Sequence, residues 1–116
     1  MSAPADASPD PEDAKLAALA RSARVRTKAA QAAAVRDTDG RTYVATTVQL
    51  PSLTLSALQL AVCMAVSSGA LGLEAALILG EPTDPEDEPG VAALRDVAPS
   101  AALLHAGPDG TLTTGS

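Results

Sequence analysis

The sequence predicts an α/β fold, a layered sheet with helices on its faces in the order αββαβαβ. Three observations carry that expectation. Helical periodicity near the N-terminus is followed by a hairpin signal, an all-apolar helix leads into short apolar runs, and no repeat or low-complexity tract competes.

Residues 1–10 hold Ala, Pro, Asp and Ser without periodicity, a composition that cannot repay its ordering entropy, so a disordered N-terminal tail is expected there. A single domain is expected over residues 11–113. Its first helix starts at Pro11, where Glu12 and Asp13 meet the positive end of the helix dipole. Leu16, Leu19, Ala20 and Ala23 then recur at helical spacing to about Lys28. The opposite stripe, Arg21, Arg24 and Lys28, reads as a solvated face, with phosphate binding as the minority alternative.

Ala32–Arg36 and Arg41–Leu50 read as a hairpin closed by Asp37-Thr38-Asp39-Gly40, with β-favouring Tyr43, Thr46, Thr47 and Val48 in the second strand. Pro51 ends that strand. Thr54 or Ser52 is expected to cap a helix running from Leu55 through Val66, apolar on every side and closed at Ser68-Gly69. A helix without a polar face must be buried in a central layer or against another subunit. Glu74–Leu79 reads as an interior strand, residues 81–89 as an acidic, Pro-rich loop, and Gly90–Val97 as a short helix. Ala101–Ala106 makes a last strand before a Gly-Pro-Asp-Gly turn and a Thr-rich end.

Composition excludes several function classes. Tyr43 is the only aromatic residue of the 116, so a base-stacking nucleic-acid platform is not expected. A formal net charge of −6 repels phosphate backbones in any case. One cysteine, Cys63, permits no intramolecular disulfide, and the acidic start of the chain has no signal-peptide pattern; a cytoplasmic protein with no membrane span is expected.

Candidate chemistry is sparse. Zinc needs three or four Cys, His or carboxylate ligands, and the chain has one Cys and one His far apart. Cys63 is expected inside the buried helix as a small hydrophobe, and His105 at a strand end as a core or edge residue. The acidic loop lacks the spacing of a calcium site, and no phosphate-binding glycine motif or nucleophile elbow occurs. No catalytic residue, metal ligand or cofactor is read from residue chemistry alone.

The run Asp39-Gly40-Arg41-Thr42-Tyr43, then Thr47-Val48-Gln49-Leu50, then Ala65-Val66-Ser67-Ser68-Gly69, together with the element order, resembles the cytidine deaminase family over about Asp13 to Thr113. In that family the hairpin reads like Asp-Gly-x-x-Tyr and the second strand ends in Asn-x-Glu-Asn. The buried helix opens with Cys-Ala-Glu and closes with Ala-Val-Ser-x-Gly. The resemblance implies a three-layer α-β-α sandwich of cytidine deaminase-like type and a homo-oligomer, dimer or tetramer. It also locates the departures. Counting back from Gly69, Cys-Ala-Glu falls on Ser56-Ala57-Leu58 and Asn-x-Glu on Thr47-Val48-Gln49. The family's further ligands, Pro-Cys-x-x-Cys at the next helix, meet a segment without cysteine.

A deaminase needs a metal ligand where Ser56 stands and a proton-carrying acid where Leu58 stands. The leading expectation is therefore a cytidine deaminase-like protein without zinc or proton shuttle, acting as an oligomeric interaction module. A genuine deaminase with atypical zinc ligands drawn from Cys63, His105 and the acidic loop is one alternative. The other is a nucleoside-sensing pseudoenzyme whose pocket would be lined by Thr47, Gln49 and Ser56.

Overall fold

A computed structural model describes residues 10–81 and 84–113. The tail expected at residues 1–10 lies, apart from Asp10, outside them. Asp10 is the N-cap of helix α1, Pro11–Thr27: its carboxylate accepts a 2.8 Å bond from the Glu12 amide, and Pro11 follows at the first helical position. Leu16, Ala17, Ala20 and Ala23 face inward, while Leu19 is half-buried.

The central sheet has the strand order β2 (Thr42–Thr46), β1 (Gln31–Asp37), β5 (Leu73–Gly80), β6 (Ala102–Ala106), β7 (Leu112–Thr113). Strands β1 and β2 form the expected hairpin, and β1 also pairs antiparallel with β5. Strand β5 runs parallel to β6, the connection passing through helix α3 (Pro89–Val97). The Thr-rich end contributes a short edge strand, β7, antiparallel to β6. Helix α1 packs on one face and helices α2 (Ala57–Ser67) and α3 on the other, giving the α-β-α sandwich.

Strand alternation divides β1 between the two layers. Ala32 and Ala34 meet Leu16 and Ala20 of α1, while Ala33 and Val35 meet Ala61, Val62 and Ala65 of α2. All four β1 side chains are fully buried.

Between β2 and α2 the structure departs from the expected long strand and early helix. The chain breaks at Thr47, runs as β3 (Val48–Leu50), turns at Pro51-Ser52 and returns as β4 (Leu53–Leu55), making a separate two-stranded ribbon. Pro51 suits the second position of a tight turn, and Leu53-Thr54-Leu55 continues the β pattern. The helix cap is Ser56 rather than Ser52 or Thr54. The Ser56 side chain accepts from the Gln59 amide at 3.0 Å, and the Gln59 side chain accepts from the Ser56 amide at 2.9 Å, a reciprocal capping box.

Helix α2 is also not enclosed on every side. Its inner stripe is buried, but Cys63, Met64 and Val66 on the outer face are exposed, as are Leu71 after it and Leu50 and Leu53 on the ribbon. Cys63 is thus a surface thiol and not a core residue. A single sheet cannot cover more than one face of a helix, and no other element of the described chain lies over this one.

The β1–β2 turn is held by Asp37. One carboxylate oxygen accepts from the amides of Asp39 and Arg41, each at 2.9 Å, and the other accepts from the Tyr43 hydroxyl at 2.9 Å. Gly40 adopts φ 89°, which the turn requires. Burial by itself raises the Asp37 pKa, but these three donors favour the ionised form and together hold the carboxyl below its ordinary range. The same bond, with burial, raises the Tyr43 hydroxyl. At the neighbouring position Arg36 pairs with Glu74 at 2.5 Å and Asp13 at 3.5 Å, tying β1 to β5 and to α1.

A carboxylate whose pKa is lower folded than unfolded contributes stability above the unfolded value, and that contribution is lost as pH falls through the folded one. Denaturant unfolding followed from pH 6 to pH 2 should therefore show wild-type stability dropping below about pH 4. Asp37→Asn should be less stable at pH 6 and lose less over the same interval.

Candidate functional site

The carboxyl ends of β2, at Thr46, and β5, at Gly80, lie at one end of the sheet beside the start of β1 at Gln31, and the connections through α2 and α3 leave from there. Open α/β sheets place their ligands at such carboxyl ends. Here the N-termini of α2 and α3 converge.

Ser56 caps α2 and Glu88 caps α3. The Ser56 hydroxyl donates to Oε2 of Glu88 at 2.6 Å, and the Gly90 amide donates to the same oxygen at 2.7 Å. Since the hydroxyl also accepts from the Gln59 amide, a continuous chain of donors runs from the first turn of α2 through Ser56 to Glu88, and from the first turn of α3 to the same carboxylate. Glu88 is 5% exposed, a buried acid with the positive ends of two helix dipoles beside it. Leu58, at the second position of α2, is fully buried in the core.

The helices are in direct contact at this point. A Cβ on Gly90 would lie 2.6 Å from Cβ of Leu58 and 2.7 Å from the Gln59 nitrogen. Only glycine fits there.

The three residues expected to line a ligand pocket occupy different settings. Thr47 bridges β2 and β3, its hydroxyl accepting from the Gln31 amide at 3.2 Å and donating to the Gln31 carbonyl at 3.3 Å. Gln49 is exposed on the ribbon opposite Thr54. Ser56 is engaged by Gln59 and Glu88. The hydrogen bonds of Thr47 and Ser56 therefore point into the fold, and Gln49 alone presents its side chain to solvent. Cys63 lies on the outer face of α2 and His105 half-buried in β6.

Glu88 was not distinguished in the sequence from the acids before it. Its position before Pro89 did not single it out, because Glu81 and Asp84 also stand directly before prolines.

A family model described as cytidine deaminase-like matches residues 9–110. The chain belongs to the cytidine deaminase-like family. Among solved structures it is similar to a mutant cytidine deaminase from Mycobacterium tuberculosis, with 26% identity, TM-score 0.61, and coverage of 78% of this chain and 81% of that one. The cytidine deaminases of Burkholderia pseudomallei (19% identity, TM-score 0.63, 87% and 90% covered) and Mycobacterium leprae (16%, 0.61, 86% and 90%) share the fold. No curated protein gives a significant match.

Zinc, which such a fold implies, can be tested against the donors present. Helix α2 opens Ser56-Ala57-Leu58 where the resemblance has Cys-Ala-Glu, and α3 opens Pro89-Gly90-Val91-Ala92-Ala93 where it has Pro-Cys-x-x-Cys. A neutral serine already hydrogen-bonded twice, a glycine and an alanine supply no thiolate or imidazole, and the single carboxylate beside them, Glu88, falls short of the three or four ligands zinc needs. Among the described residues no group of three or more His, Cys, Asp or Glu is placed to hold a metal ion. The donor set does not fit zinc. The chemistry the junction does support is structural: a buried carboxylate neutralising two helix ends.

The crowding at Gly90 gives a direct check. Gly90→Ala should destabilise the domain by about 1–3 kcal/mol through overpacking against Leu58 and Gln59, measured by denaturant unfolding.

Proposed function

We propose that this protein is a non-catalytic cytidine deaminase-like domain that works by association, foremost with copies of itself. The observation that carries the first half is the 2.6 Å bond between Ser56 and Glu88, which occupies the α2–α3 junction with a closed network in place of exchangeable ligand positions. Leu58 stands where a proton-transferring acid is needed, and a buried hydrocarbon cannot shuttle a proton.

The second half is supported by the outer face of α2. Val66 is 51% exposed and Met64 37%, with Leu71 at 96% beyond the helix end and Cys63 beside them. This face carries no charged side chain between Ala57 and Ser67. Exposed apolar side chains on a helix that carries no charge favour burial against another polypeptide. A second copy is the simplest occupant, since a two-fold interface uses the same face twice.

Two measurements test the proposal. Elemental mass spectrometry of untagged protein purified without chelator should find zinc far below one atom per chain, and cytidine or deoxycytidine should remain unconverted at high protein concentration. Stoichiometric zinc with turnover would overturn the non-catalytic reading. Light scattering at micromolar concentration should show more than one chain per particle. Val66→Glu, which places an unpaired charge in the proposed interface, should weaken self-association by tenfold or more, about 1.4 kcal/mol. A monomeric wild type would overturn the association reading.

A further inference from the structure

The two helix ends that meet at Ser56 and Gly90 present a physical problem that a deaminase-like fold with thiolates and zinc does not have. Each N-terminus carries about half a positive charge, and each has amides without intrahelical partners. Brought into contact without an anion they repel. We infer that Glu88 takes over the tying role of the metal centre: its carboxylate is the anion that holds α2 to α3, and the closed junction it makes has no room for a metal.

Three features of the site support this. Glu88 is 95% buried by its 5% exposure, and acids are rarely buried that deeply unless they are paired. The donor chains of the two helices meet on it: Gln59 amide to Ser56 hydroxyl to Oε2 from one side, Gly90 amide to Oε2 from the other. One oxygen of the buried carboxylate thus accepts two bonds, at 2.6 Å from Ser56 and 2.7 Å from Gly90. Finally, the absence of a Cβ at Gly90 lets α3 approach until that position would lie 2.6 Å from Leu58. A cysteine at 90 could be accepted only if the helices separated. The glutamate and the glycine thus belong to one arrangement, in which the space of a ligand side chain is closed and its charge is supplied from the preceding residue pair.

This inference rests on the reading that no zinc is held at the junction, and the experiment separates the two. Thermal melts of the full chain are compared in chelator-treated and zinc-supplemented buffer for wild type, Glu88→Gln, Glu88→Ala, Ser56→Ala, and Glu88→Ala combined with Ser56→Ala. Glu88→Gln keeps the shape and one acceptor oxygen for Ser56 and Gly90, so it removes little but the charge and decides the matter if the alanine variant does not fold. The wild-type Tm should be the same in both buffers. Glu88→Gln should melt roughly 4–8 °C lower, the shift expected for the loss of one moderate interaction in a domain of this size, and Glu88→Ala lower still. Adding Ser56→Ala to Glu88→Ala should cost less than Ser56→Ala alone, the difference being the bond to Glu88 and the remainder the lost cap on the Gln59 amide. If Glu88→Gln melts at or above wild type while the wild type ignores chelator, the tying role is overturned and the metal-free reading stands. A wild-type Tm that falls with chelator and recovers with zinc would overturn both.

Discussion

Strand β1 is the constraint on which the rest depends. It pairs on both edges, with β2 and with β5, and is covered on both faces, by α1 and by α2. Its sequence from Ala32 through Val35 is three alanines and a valine, all with no exposed surface. Small side chains at the centre bring both helical layers close to the sheet, and the same economy runs through Ala61 and Ala65 of α2 and Ala75 and Ala76 of β5. A core of this kind buries little apolar area per residue, and such domains gain from additional burial outside the monomer. The exposed outer face of α2 follows from this arrangement, because the layer beneath it is filled by alanine and valine and Met64 and Val66 have nowhere to turn inward.

Close packing of the layers also governs the α2–α3 junction. With the helices drawn together, the second residue of α3 must lack a side chain, and Gly90 meets that requirement. Close approach of two N-termini then needs an anion between them, and Glu88 is the residue immediately outside α3. The geometry that removes room for metal ligands is thus the geometry that calls for a buried acid. Neither feature makes sense alone: a glycine there without the acid leaves two like partial charges in contact, and the acid without the close approach leaves a buried carboxylate short of donors.

Much of the architecture was legible in the sequence, and where it was not the reasons are local. The periodicity of Leu16, Ala20 and Ala23 located α1, and Asp39-Gly40 located the β1–β2 turn, because each signal is contained within a few residues. The strand pair β3–β4 was missed because Leu50-Pro51-Ser52-Leu53 reads equally as a strand end followed by a helix start. The deciding information was the reciprocal Ser56 and Gln59 pairing, which the Ser-x-x-Gln spacing offered. For α2 the sequence left burial in a central layer and burial against another subunit both open, since periodicity cannot distinguish them, and within the single chain the outer face is exposed. Glu88 was hidden among five acids; what separates it from Glu81, Asp84, Glu86 and Asp87 is a tertiary contact with Ser56, 32 residues earlier, and that is beyond any local pattern.

The end of the sheet opposite the junction is held by its own set of contacts. Asp37, Tyr43 and the turn at Gly40 form one closed set of hydrogen bonds, and Arg36 joins Asp13 and Glu74 beside it. These contacts tie β1 to β2, to β5 and to α1 without reference to the α2–α3 end. The register of the sheet is therefore fixed from the far side, and the residues at Ser56, Leu58, Gly90 and Ala93 are released from setting it. The far end of the sheet is thus held by contacts that involve none of Ser56, Leu58, Glu88 and Gly90, so a change at the α2–α3 end leaves this set of bonds in place.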